Sequence, residues 1–158
     1  MSPEEYQRAV VEAIGGCHQL VGQIEASRAR LQALAPFTGE TLTALDADEW
    51  DGVYAFQMKF LLLQDLASRR LLRGFLALSG EDPRNFSMRQ AIERAAQLGG
   101  LASAEEWMDL LIVRNMLAHD YPVDLDAFAD WLSQAWDRLD TLILNVKTLI
   151  AALKGLLP

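Results

Sequence analysis

The apolar residues of this chain recur at every third or fourth position over long stretches, with almost no alternation of the kind that a strand requires. Its five prolines, Pro3, Pro36, Pro83, Pro122 and Pro158, stand at the edges of those stretches, where a helix tolerates them. A chain patterned in this way buries its side chains only by packing helices on one another. The expected fold class is therefore all-α.

The local signals divide the chain into five helices. Ser2-Pro3-Glu4-Glu5 joins an N-cap, a first-turn proline and a capping-box glutamate. The stripe Tyr6, Val10, Ala13, Cys17, Leu20, Ile24, Leu31 and Leu34 predicts one helix of about 50 Å that ends before Pro36. Gly15-Gly16 inside it costs roughly 1 kcal/mol per glycine and suggests a close helix approach or a kink. Residues 36–47 read as a loop. Asp46 to Glu49 cap a second long helix that reaches about Ser79, carries Tyr54 on its expected core stripe and stops at Gly80. A third follows Ser87 and Gln90 and ends at Gly99-Gly100, and a fourth opens at Ser103 to Glu106 with Trp107, Leu110, Leu111 and Val113 on its apolar face, which Met116 and Leu117 can continue. After Tyr121-Pro122 a fifth carries Leu125, Phe128, Leu132, Ala135, Leu139, Leu142, Val146, Ile150 and Leu153, with Gly155 as its end. Short connections make this an antiparallel, up-and-down bundle of about five helices.

Composition narrows the functional classes. With 158 residues, 51% of them hydrophobic, one ordinary domain has ample core. A single cysteine, Cys17, excludes an internal disulfide framework, and with only two histidines no zinc-finger spacing exists. Apolar runs fall short of the roughly 20 residues that span a bilayer, and the acidic N-terminus is unlike a signal peptide. The expectation is a soluble, cytoplasmic chain without a membrane partner. The net charge of −8 argues against a general binder of polyanions or anionic membranes. Charge is nevertheless uneven: residues 57–119 hold eight basic and seven acidic side chains, including Arg69, Arg70, Arg73, Arg84, Arg89, Arg94 and Arg114. Most of these arginines read as solvated helix faces, but any anion-binding surface belongs in this middle segment.

No phosphate loop, Gly-x-Ser-x-Gly or His-Glu-x-x-His occurs, and neither His18 nor His119 has an acidic residue three positions before it, as a di-metal bundle requires. No cofactor and no metal site is expected. Cys17 lies on the apolar stripe of the first helix and reads as core, His18 as a boundary or surface residue. One cluster differs. Arg114-Asn-Met-Leu-Ala-His119-Asp-Tyr121-Pro122 gathers five polar, chemically capable side chains at the end of the fourth helix. A C-terminal helix cap accounts for much of it, because basic residues favour that end of the dipole and proline follows the stop. In an unbroken helix Arg114 and His119 point about 140° apart. They meet only if the helix ends near Ala118 or a second subunit supplies the missing group.

Arg114-x4-His119-x-Tyr121, with Asn115 directly after the arginine, resembles the motif of the HEPN superfamily, most closely its HepT-like branch of small helical ribonuclease toxins paired with a minimal nucleotidyltransferase. The resemblance covers roughly residues 50–155 in architecture and only Arg114 to Tyr121 in motif. It implies a single HEPN-like bundle over 1–158 and metal-independent cleavage of RNA, the ribose 2′-hydroxyl attacking the adjacent phosphate in a cleft shared by a homodimer. By this resemblance His119 moves the proton, Arg114 stabilises the phosphate and Asn115 orients one or the other. Tyr121 matches the tyrosine to which the nucleotidyltransferase antitoxin attaches AMP to silence the toxin. The acidic charge suits an alternative at least as well, a non-catalytic HEPN partner that binds or regulates a nucleotidyltransferase. A purely structural adaptor leaves the Arg114 to Tyr121 cluster without a purpose.

Overall fold

A computed structural model describes residues 1–119 and 123–158. Among these the chain is helical with no strand. Helix α1 spans Pro3–Leu31 and is closed at its start by the Ser2–Glu5 capping box. A single 3-10 turn follows at Gln32–Leu34. Helix α2, Gly39–Thr43, falls in the stretch expected to be a loop; Thr38 and Thr41 cap each other's backbone there, and its Leu42 is fully buried. Helix α3, Ala47–Leu66, begins on the Asp46–Glu49 capping box. It passes through a π-helical turn, Ala67–Leu72, into α4, Arg73–Leu78. Gly80, with φ +87°, then makes the left-handed turn that only glycine adopts at no steric cost.

Helix α5, Met88–Gln97, starts on the Ser87–Gln90 capping box and ends at Gly99, φ +85°. Helix α6 runs Ala104–His119. The expected fifth helix is two: α7, Leu125–Asp137, and α8, Leu139–Leu156, interrupted at Arg138. The apolar spacing continues across that break, with Leu132, Ala135, Leu139 and Leu142 all buried, so periodicity carries no trace of it. The interruption is stabilised by tertiary contact instead: Arg138 Nε donates to Asp109 on α6 at 2.6 Å while its backbone N–H closes on Gln134. Gly155 lies inside α8 and does not end it.

Pairwise contacts set the directions. Gly74 faces Val10, Gly16 faces Leu66, Lys59 Nζ donates to Ser27, and Gly52 faces Leu31, so α1 lies antiparallel to the α3–α4 segment. Gly74 is where that packing is tightest, since a Cβ there comes within 2.3 Å of a Val10 methyl. Of the Gly15-Gly16 pair, only Gly16 meets a neighbour. On the other side of α3, Gln57 donates to the Leu117 carbonyl, Arg114 bonds Asp65, and Trp107 Nε1 donates to Ser68, which makes α6 antiparallel to α3 as well. Helix α8 crosses back along α6, Asn145 opposite Glu106 and Arg138 opposite Asp109. The core between them is built on the fully buried Phe56, Phe60, Trp107 and Phe128. None of the described helices is long and apolar enough to cross a membrane.

Candidate functional site on helices α3 and α6

Helix α6 owes its seat to Trp107, Leu110, Val113 and Leu117, which are buried at helical spacing. Arg114 borders this face and is half-buried. Its guanidinium forms a two-pronged bridge to Asp65 on α3, Nε to Oδ1 at 2.7 Å and Nη2 to Oδ2 at 2.8 Å. Nη1 donates to Asn115 Oδ1 at 3.3 Å. Three of the five N–H groups of the fork are thereby used, and two remain for another acceptor.

The opposite, outer face of α6 carries Ile112, Asn115, Met116 and His119, three and four residues apart and all exposed. Met116, expected to continue the apolar face inward, stands outward; only Leu117 of that pair is buried. Asn115 and His119 therefore share one face, and Asn115 also touches Arg114. Arg114 and His119 do not come together within one chain. The helix continues unbroken through His119 rather than ending near Ala118, so the two side chains keep the angle of about 140° set by five residues of α-helix. Tyr121 and Asp120, the remaining members of the cluster, lie outside the described residues, as does Pro122.

Asp65 is the member that sequence reading missed. It lies on the outer face of α3 with Tyr54, Met58 and Leu62, at helical spacing of four, four and three. Those three side chains are exposed by 42%, 55% and 47%, so the bridge is bordered by apolar surface on α3, while Ile112, exposed by 52%, stands on the outer face of α6. The exposure of Tyr54 corrects its expected place in the core: the stripe of α3 turns Val53, Phe56 and Phe60 inward and leaves Tyr54 outside, tilted by 30° against Trp50 at a centroid distance of 5.4 Å. Tyr6 is half-buried.

The remaining sequence candidates are bystanders to this site. Cys17 is fully buried on α1, and burial pushes its thiol up to about 12. His18, its neighbour, is exposed. Among the described residues no three His, Cys, Asp or Glu side chains converge as a metal-binding group. Comparison with protein-family models, with curated proteins and with solved structures gives no match, so the reading of this site rests on its own residues.

Proposed function

We propose that this chain is a HEPN-type, metal-independent endoribonuclease toxin, active as a homodimer and silenced by a minimal nucleotidyltransferase antitoxin that adds AMP to Tyr121. The observation that carries the reading is that one bundle helix carries Arg114, bonded to Asn115, and at its C-terminal end an exposed His119 on the same face as Asn115, with Ile112 and Met116 exposed beside them. Exposed apolar side chains clustered in this way mark a surface that another chain covers. In the proposed dimer a two-fold axis near the C-terminal end of α6 brings each His119 to the other chain's Arg114. The angle that separates them in one chain ceases to matter.

In such a cleft the chemistry balances without a metal. One His119 accepts the proton of the ribose 2′-hydroxyl as its oxygen bonds to phosphorus. The bond from phosphorus to the 5′-oxygen breaks, and the second His119, protonated, supplies that oxygen with a proton. The products are a 2′,3′-cyclic phosphate and a 5′-hydroxyl. An imidazole is suited to both duties because it changes charge near neutral pH. Arg114, oriented by Asp65 and Asn115, offers its two remaining N–H groups to the phosphate oxygens that gain charge. AMP on Tyr121, two residues from His119, introduces a tethered phosphate that competes for the same arginine.

The competing reading is a non-catalytic HEPN partner of a nucleotidyltransferase. It is favoured by the commitment of Arg114 to a carboxylate and by the charge of −8 per chain, which opposes RNA at long range. Expression of the protein alone separates the two. A toxin arrests growth, and Arg114→Ala relieves the arrest; a binding partner leaves growth unchanged. A small nucleotidyltransferase encoded beside this chain supports both against a structural adaptor.

A further inference from the structure

The arginines of the middle segment fall into two groups. Arg84 pairs with Asp82, Arg89 with Glu93, Arg94 with Glu81 and Arg114 with Asp65. Arg69, Arg70 and Arg73 have no carboxylate at ion-pairing distance among the described residues, and these three line one cavity of about 170 Å³ between the first turns of α1 and the π-helical turn. Arg73 is half-buried and pinned there, its Nη1 donating to the Pro83 carbonyl at 2.8 Å and to that of Phe86 at 3.5 Å. Carbonyl oxygens orient a guanidinium but leave its charge uncompensated, and taking such a charge out of water is costly unless an anion joins it. Arg84 also borders the cavity, with its charge balanced by Asp82, whose carboxyl Arg84 holds at about 2.

No aspartate or glutamate lines this cavity in a chain that carries eight more acidic than basic residues. Glu12, Glu81 and Asp82 border neighbouring depressions, and Asp82 is taken up by Arg84. The rest of the wall is Met1, Gly74 and Pro83 together with Tyr6, Ala9 and Val10 of α1, with side chains apolar apart from one phenol. Arg69 and Arg70 both stand in the π-helical turn, a backbone form that is uncommon within helices and recurs at functional sites. The cavity faces α1, whereas Arg114 and Asp65 meet on the side of the segment that faces α6.

We propose that this cavity binds a small phosphate monoester, its phosphate held by Arg69, Arg70 and Arg73 and its apolar or aromatic body set against Tyr6, Ala9 and Val10. A monoester dianion cancels the mutual repulsion of three converging guanidinium groups, and their planar forks match its oxygens. The proposal is independent of the ribonuclease reading, since neither site shares a residue with the other.

Calorimetric titration of the full chain with phenyl phosphate, inorganic phosphate and phenol tests it. Phenyl phosphate binds saturably at one site per chain, inorganic phosphate more weakly, and phenol without saturation. Arg69→Gln combined with Arg70→Gln, two exposed positions whose replacement leaves the core intact, weakens phenyl phosphate by about tenfold or more, while Arg89→Gln, outside the cavity, leaves it unchanged. Circular dichroism verifies that the double variant is folded. Absence of saturable phenyl phosphate binding, equal binding by phenol, or undiminished binding in the folded double variant overturns the proposal.

Discussion

Arg114 of α6 donates to both carboxylate oxygens of Asp65 on α3, at 2.7 and 2.8 Å, while a third donor reaches its own neighbour Asn115. The bridge joins two antiparallel helices at the rim of the core and decides which way the arginine points. It also sets a carboxylate where the proposed reaction brings a phosphate, so the two roles of Arg114 oppose each other.

Removing that carboxylate separates the roles. Asp65→Asn is expected to cost about 1 kcal/mol of stability, in the range for a partly exposed ion pair, as read by urea unfolding. RNA affinity rises in the same variant, because the guanidinium gains a free edge and the cleft loses one negative charge. Arg114→Ala loses stability similarly but also loses RNA binding, measured by fluorescence anisotropy at fixed salt.

Cleavage is expected to persist in EDTA and to leave cyclic-phosphate ends. His119→Ala abolishes it while the chain remains folded, since His119 is exposed and supports no packing. End-group analysis of cleaved RNA, with and without EDTA, checks both statements; loss of activity in EDTA and recovery with magnesium contradict the mechanism.

The proposed dimer rests on exposed apolar side chains of the outer faces of α3 and α6. Leu62→Glu combined with Met116→Glu places two charges per chain on side chains exposed by 47% and 38%, at little cost to the monomer fold. Light scattering is expected to show a two-chain particle for the parent and a single chain for the variant, with cleavage lost in step. A monomeric parent that retains full activity contradicts the shared cleft.

Co-expression with the nucleotidyltransferase is expected to add AMP at Tyr121, and Tyr121→Phe escapes silencing while retaining cleavage. Intact mass and peptide mapping check this. Tyr54 is the informative competitor, because it is 42% exposed on the face that also carries Asp65. AMP mapped to Tyr54 removes Tyr121 from the switch.

Cys17 is expected to resist alkylation at pH 8 in the folded chain and to react within minutes after denaturation. Its thiol, pushed up by burial to about 12 from the ordinary 9.0, is protonated throughout that range. The folded value exceeds the unfolded one, so this contribution to stability is complete below pH 9 and declines as pH rises toward 12. Thiol titration with and without urea reads the first effect, and unfolding curves across that window read the second.

The helical class, the capping boxes at Ser2, Asp46 and Ser87, the glycine stops at Gly80 and Gly99 and the inward faces of Cys17, Trp107 and Phe128 are all legible in the sequence, because each depends on residues within one or two turns of each other. Local periodicity also places Arg114, Asn115 and His119 on one helix, toward its C-terminal end. It is silent on relations between helices. The break at Arg138 interrupts an apolar stripe that is itself continuous, and it is secured by Asp109, twenty-nine residues away. The outward turn of Tyr54 depends on which side of α3 receives α6. The partnership of Arg114 with Asp65 spans forty-nine residues, and the gathering of Arg69, Arg70 and Arg73 against Tyr6 requires α1 to fold back on α4. Sequence spacing fixes an angle about one helix axis, whereas a binding surface needs the distance and rotation between two axes, and only side-chain packing in the folded chain sets those.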